Sequence, residues 1–138
     1  LDNMARLKRK IEGARDRLPA PVLREEKEQE VGIIYYGSME NSIQEIDDIL
    51  EATGLKVSQC RVRALPLHPD VEAFIERHET VIVLEINRDG QMYSILRSEL
   101  PSELVPRLRS VAYTDGIPPR AQVYADAIRA ELQGFEVA

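Results

Sequence analysis

The run Val81-Ile82-Val83-Leu84-Glu85-Ile86-Asn87-Arg88-Asp89-Gly90-Gln91-Met92 constrains the fold more than any other stretch of this chain. It opens as an apolar, β-branched segment, stops at a polar turn holding one glycine, and continues as an amphipathic helix. A strand that is apolar on both faces belongs inside a parallel sheet, because parallel sheets are covered on both sides. The turn that follows such a strand lies at the sheet's carboxyl edge, where open α/β folds carry their binding surfaces. The chain therefore predicts an α/β sheet with a distinctive edge, and its function turns on what that edge faces.

The other segments fit this frame. Residues 2–18 read as a helix with Met4, Leu7, Ile11, Ala14 and Leu18 at helical spacing among Arg, Lys and Glu, stopped by Pro19-Ala20-Pro21. Val22-Leu23 is a short edge strand, and Arg24 to Glu30 is a charged, solvated connector. Val31 to Tyr36 is the first long strand. A helix with Met39, Ile43, Ile46 and Leu50 on one face follows Gly37-Ser38; Ser38 or Asn41 suits its cap, Asn41 with Gln44 has capping-box spacing, and Gly54 ends it. Leu55 to Arg63 is a strand, 64–69 a proline-stiffened loop, and Pro69 the first turn of a helix through Arg77. Thr80 to Ile86 is the central strand, Gln91 to Leu100 a helix, and Leu108 to Tyr113 the last strand. A final helix carries Ala121, Tyr124, Ile128 and Leu132, with Gly134 at its end. Alternating strands and helices predict parallel pairing with right-handed crossovers in a three-layer α/β/α sandwich.

Composition removes several function classes. The 138 residues suffice for one domain with its own core. The net charge of −6 is uneven: residues 1–30 sum to +1 and residues 31–138 to −7, so nucleic acid and anionic membrane are poor partners for the body. Tryptophan is absent and aromatics are 5%, which disfavours a base-stacking platform. One cysteine, Cys60, can form no internal disulfide and holds neither an iron–sulfur cluster nor a structural zinc. No signal peptide and no membrane-length apolar run is present, so a cytoplasmic location is expected. The first methionine is Met4, which suggests an excised piece of a longer polypeptide.

The candidate site residues cluster at the expected edge. Asn87 and Gly90 suit left-handed backbone, Glu85 can accept hydrogen bonds from the turn or from a partner, and the helix start near Gln91 offers N–H groups to an anion or a neighbour's carboxylate. Turn-shaping alone explains the same residues more simply. Gly37-Ser38 is a second strand-to-helix turn, without the G-x-G-x-x-G or G-x-x-x-x-G-K spacing of a nucleotide site. His68 and His78 have no partner at metal-ligand spacing and read as structural. Cys60 reads as a buried, inert thiol, and Asp47-Asp48 as a helix's wet face. None of the four lysines follows a strand in the manner of a phospho-receiver, and no G-x-S-x-G elbow is present. A small-molecule or anion-binding regulatory module at the carboxyl edge remains an alternative.

Four ordered stretches carry a family resemblance: Arg6-Leu7-Lys8-Arg9-Lys10-Ile11 running to Leu18-Pro19-Ala20-Pro21; Val31-Gly32-Ile33-Ile34-Tyr35-Tyr36-Gly37-Ser38; Arg63-Ala64-Leu65-Pro66-Leu67; and Val83 through Met92. With the tail Tyr113-Thr114-Asp115-Gly116-Ile117-Pro118, the chain resembles the C-terminal, transketolase C-terminal-like region of the alpha subunit of 2-oxoacid:ferredoxin (acceptor) oxidoreductases. A transketolase or dehydrogenase E1 C-terminal domain would share the fold. The resemblance implies a five-stranded, mostly parallel sheet of order 1-3-2-4-5 whose short first strand is antiparallel. It implies an N-terminal linker helix over 1–21 and the α/β domain over 22–138. For the complete enzyme it implies coenzyme A-dependent oxidative decarboxylation of a 2-oxoacid, 2-oxoglutarate as first choice, using thiamine diphosphate, Mg²⁺ and an iron–sulfur cluster, with ferredoxin as acceptor. This segment has no Gly-Asp-Gly…Asn signature for a magnesium-bound diphosphate, so no catalytic, cofactor-binding or metal residue is assigned, and the isolated fragment is expected to be inactive. The expected role is assembly: packing on other alpha-subunit domains and the beta subunit through Gly37, Ser38, Pro66, Glu85, Asn87, Gly90 and Gln91. Exposed former interfaces, the N-terminal helix first, could also make the fragment a homo-dimer.

Overall fold

Residues 2–25 and 29–136 are described by the structure, a computed structural model. Five strands form one sheet: β1 (Val22–Arg24), β2 (Val31–Tyr36), β3 (Ser58–Val62), β4 (Thr80–Glu85) and β5 (Leu108–Ala112). Their order is β1-β3-β2-β4-β5. β1 runs antiparallel to β3, with Leu23 opposite Cys60, and the other pairs are parallel, with Ile34 facing both Cys60 and Val83. Helices α2 (Glu40–Ala52), α3 (Pro69–Glu76) and α4 (Gln91–Glu99) are the crossovers; α1 (Asp2–Glu12) precedes the sheet and α5 (Ala121–Glu136) follows it. Positions 26–28 of the charged connector lie outside the described residues.

Alternation along the strands builds two cores. Ile33, Tyr35, Ile82, Leu84 and Val111 face α2 and α5, where Met39, Ile46, Leu50, Tyr124 and Ile128 meet them. Ile34, Cys60, Val62, Val81, Val83 and Leu108 face α3 and α4, where Val71, Phe74, Ile75, Met92 and Leu96 meet them. Each fully buried Ile, Leu or Phe contributes about 2 kcal/mol relative to leaving it in water. Burial of β2 and β4 on both faces is what their continuous apolar sequence requires. Gly32 in β2 sets the height of the α3 layer: a Cβ there would stand 2.7 Å from the Phe74 ring. Phe74 and His78 stack beside it at 4.3 Å between ring centres.

Several boundaries differ from the sequence reading. The N-terminal helix ends at Glu12, and Arg15–Arg17 form a separate 3₁₀ turn. Gly13 explains the break, since glycine costs a helix interior about 1 kcal/mol relative to alanine. β3 begins at Ser58, three residues later than Leu55. Neither Ser38 nor Asn41 caps α2. A 3₁₀ turn over Gly37–Met39 leads into that helix, Met39 occupies the cap position, and no side chain bonds the cap. Gly54 does close α2: its N–H reaches Glu51 and that of Leu55 reaches Leu50, the paired bonds of a Schellman ending. Gly134 does not end α5, which runs through it to Glu136; an exposed glycine with no proline behind it lowers helix stability without stopping the helix. Asp48 is exposed on α2 as read, whereas Asp47 is half-buried and pairs with Arg24 of β1 at 3.3 Å.

Candidate functional site

Parallel order places the carboxyl ends of β2, β3 and β4 side by side. From β2 the chain leaves into α2 on one face of the sheet, and from β4 it leaves into α4 on the other. The gap between the ends of β2 and β4 is therefore the topological switch point, where open α/β sheets characteristically receive ligands.

In this chain that gap is filled by its own side chains. Glu85, the last residue of β4, is 1% exposed. Its Oε1 accepts the Met92 N–H at 2.6 Å, the Asn87 side-chain amide at 3.0 Å and the Tyr36 hydroxyl at 3.1 Å; its Oε2 accepts the Tyr93 N–H at 3.1 Å. Met92 and Tyr93 occupy the second and third positions of α4, whose first-turn N–H groups have no partner within the helix. The carboxylate satisfies both donors and sets a negative charge against the positive end of the helix dipole. Asn87 completes the arrangement. Its Oδ1 accepts the N–H groups of Asp89 and Gly90, at 3.1 and 2.7 Å, and its amide also donates to the Tyr36 oxygen. Gly90 then enters α4 in the left-handed region, at φ 61°. Burial first, and then the Glu85 charge, holds the Tyr36 hydroxyl above its ordinary pKa, so it stays a donor.

Above this cluster lies an open groove of about 470 Å³, lined by Tyr36, Gly37, Val62, Arg63, Ala64, Leu65, Gln91, Met92 and Ile95. Leu65 stands 49% exposed at its wall. Arg63 donates from Nε to the Ala20 carbonyl at 2.7 Å, which ties the segment after α1 to the end of β3. Of the residues singled out in the sequence, Gly37 and Gln91 line the groove, and Glu85, Asn87 and Gly90 form the buried support beneath it. Ser38, exposed in the 3₁₀ turn, and Pro66, half-buried beside Leu65, are not in its lining. Tyr36, Val62, Met92 and Ile95 were read only as strand or helix positions. The signal that could have found them is their place: Tyr36 and Val62 end neighbouring parallel strands, Met92 lies in the first turn after Gly90, and Ile95 follows it on the same helix.

The remaining candidates are structural. Nδ1 of His68 accepts the Asp70 N–H at 3.2 Å, so His68 caps α3 just before Pro69. His78 is buried with Nδ1 2.7 Å from the Phe74 carbonyl; a carbonyl only accepts, so that nitrogen carries the proton. Cys60 is fully buried, and burial pushes its thiol up to about 12, with the Glu25 charge adding to the shift. Among the described residues, no group of three or more His, Cys, Asp or Glu side chains is arranged to hold a metal ion. Among the described residues no helix is long and apolar enough to cross a membrane.

No family model and no curated protein matches the chain. Solved structures do. 2-Oxoglutarate:ferredoxin oxidoreductase from Magnetococcus marinus, determined with 2-oxoglutarate, coenzyme A and succinyl-CoA bound, superimposes over 86% of this chain at 29% identity and a TM-score of 0.68. The chain has a transketolase C-terminal-like fold. It spans only 20% of that enzyme's chain. A split-gene transketolase in an inactive beta4 tetramer matches over 82% of this domain and 41% of its own chain, at 19% identity and a TM-score of 0.60. The alpha chain of a probable 2-oxoacid ferredoxin oxidoreductase from Thermoplasma acidophilum matches over 83% of the domain and 97% of its own length, at 16% identity and a TM-score of 0.52. The last two match in fold alone, and this chain's own sheet has the 1-3-2-4-5 strand order expected of the transketolase C-terminal-like domain.

Proposed function

We propose that this domain is the assembly element of a thiamine diphosphate-dependent 2-oxoacid:ferredoxin oxidoreductase alpha subunit, with 2-oxoglutarate as the first choice of substrate for the complete enzyme. The likeness to the Magnetococcus marinus enzyme supports the class. The observation that carries the role is the Glu85 carboxylate. It takes the helix-start donors that a phosphate or carboxylate ligand would use, and Tyr36 and Asn87 close the gap around it. An edge so filled is suited to press against protein, and the mainly apolar groove over Leu65, Met92 and Ile95 offers it a seat for a neighbouring domain's side chains. Gly37, Ser38, Pro66, Glu85, Asn87, Gly90 and Gln91 shape or border that contact surface, to other alpha-subunit domains or to the beta subunit. Thiamine diphosphate, Mg²⁺ and the iron–sulfur cluster belong on this reading to those neighbours, and the fragment by itself turns nothing over.

The competing reading, an anion-binding regulatory module, needs free N–H groups at a helix start on this edge. At α4 the two donors named above are already engaged. Calorimetric titration of the chain with thiamine diphosphate and Mg²⁺ tests the assembly reading. No heat of binding up to millimolar ligand is the expected result; tight, stoichiometric binding overturns it.

A further inference from the structure

The groove over the carboxyl edge has one formal charge in its lining, and that charge is a cation. Tyr36 ends β2, Arg63 follows the last residue of β3, and Gln91 opens α4 after β4. The strand order β3-β2-β4 therefore sets Arg63 on one side of Tyr36 and Gln91 on the other. Apolar surface from Val62, Leu65, Met92 and Ile95 lies with them, and no acidic side chain lines the groove.

Arg63 is exposed yet held in place. Its Nε donates to the Ala20 carbonyl at 2.7 Å, and among the described residues no acceptor takes its Nη groups. Arg24, Arg77, Arg88 and Arg120 each pair with a carboxylate of this same chain, whereas Arg63 meets only a carbonyl. A guanidinium never loses its charge in a protein, and its planar fork of N–H groups matches a carboxylate.

The surroundings narrow what can answer that charge. The Glu85 carboxylate lies buried beneath the groove and would repel a second, highly charged anion brought close to it. It also holds the Met92 and Tyr93 N–H groups that a phosphate would use. One carboxylate out at Arg63 remains favourable. The groove is open along one side, so it cannot enclose most of a small molecule's surface as ligand pockets do. A side chain delivered by a neighbouring protein surface needs no such enclosure, because that surface completes the cover.

We propose that the groove receives an apolar side chain of a neighbouring protein segment that carries an Asp or Glu beside it, with the carboxylate paired to Arg63. This inference rests on the assembly reading and names the chemistry of the partner.

The test uses the whole chain, isotopically labelled, and three short blocked peptides with glycine and serine flanks. They differ at one position: Phe is followed by Asp, by Asn or by Lys. The Asp peptide is expected to move the backbone amide signals of Arg63, Met92 and Ile95, with a dissociation constant on the order of 1 mM for so small a contact. It should bind roughly fivefold tighter than the Asn peptide at low salt, the Lys peptide should bind weakest, and the preference should fade as salt rises. Arg63→Gln should erase the preference for Asp over Asn, and Arg63→Lys should keep part of it. Leu65→Ser should weaken all three peptides together while leaving the preference intact. Unmoved amide signals away from the groove show that each variant is folded. Equal affinity for the Asp and Asn peptides, or no response to the Asp peptide up to about 10 mM, overturns this inference. So does tighter binding of pyrophosphate or octanoate than of the Asp peptide at the same signals. None of these results touches the assembly reading, which the thiamine diphosphate titration tests separately.

Discussion

Two strand-to-helix turns leave the same edge of the sheet, and they are built in opposite ways. After β2, Gly37–Met39 coil directly into α2 with no side chain bonded to the cap. After β4, a buried carboxylate, an amide and a phenol lock the turn from below before α4 begins. Both turns use a glycine at nearly the same left-handed angle, φ 60° at Gly37 and 61° at Gly90. The difference is what surrounds them: open space around Gly37, and Ser110 Oγ and Glu85 close to Gly90. The first turn is local geometry. The second is a tertiary structure in miniature, and it takes up the crevice that the topology would otherwise open.

Substitutions can sharpen or break this contrast. Glu85→Ala leaves the Met92 and Tyr93 N–H groups and the Tyr36 hydroxyl without their acceptor in a buried place, and should cost about 3 kcal/mol. Ser38→Ala at the other turn should stay within about 0.5 kcal/mol. Urea midpoints at constant m-value check both, and equal losses would erase the distinction drawn here. Formate or acetate should partly restore the thermal midpoint of the Glu85→Ala chain and leave the parent chain unmoved.

The glycines give the next largest effect. A methyl group at either position pays the left-handed penalty of roughly 1–2 kcal/mol. At Gly90 the new Cβ would also sit 3.2 Å from Ser110 Oγ, whereas nothing lies within 4 Å at Gly37. Gly90→Ala should therefore exceed Gly37→Ala by about 1 kcal/mol, read again from denaturant midpoints.

The smallest effect is alkaline. Burial, reinforced by the Glu85 charge, raises the Tyr36 pKa in the folded chain above its ordinary value of 10.0. A raised folded pKa means the folded state keeps its proton while the unfolded state loses it, so stability is intact below pH 10 and declines as pH climbs beyond that value. Tyr36→Phe should make the decline between neutral pH and pH 11 shallower by a few tenths of a kcal/mol, as about one proton's linkage allows. An unchanged slope would show that the phenol is not held by the Glu85 cluster.

Much of the architecture was legible because local signals and tertiary demands coincide. The unbroken apolar runs of β2 and β4 could be satisfied only in the middle of a covered sheet, and Gly54 and Pro69 sit where their backbone preferences place them. The order of the strands came from resemblance. Where reading failed, competing local signals were close in energy. Ser38 and Asn41 both suit a cap, yet the chain enters the helical conformation before either can serve. Gly13 and Gly134 are the same residue type inside helical patterns; one marks a break and the other does not. Glu85 was recognised as an acceptor, but that its donors are the second and third residues of the following helix depends on how α4 packs back on β4, which spacing does not reveal. Tyr36 was invisible for the same reason: its hydroxyl meets Glu85 across a strand pair 49 residues apart in sequence.

The sheet also closes cautiously at its outer margin. β1 spans three residues, runs against the grain of its neighbour, and carries Arg24 tied down by Gln44 and Asp47. So short and charged a border offers a stray peptide little main chain to zip onto, which guards against edge-to-edge growth into fibrils. At that border the domain therefore withholds the main-chain contact by which copies of itself could add strand to strand.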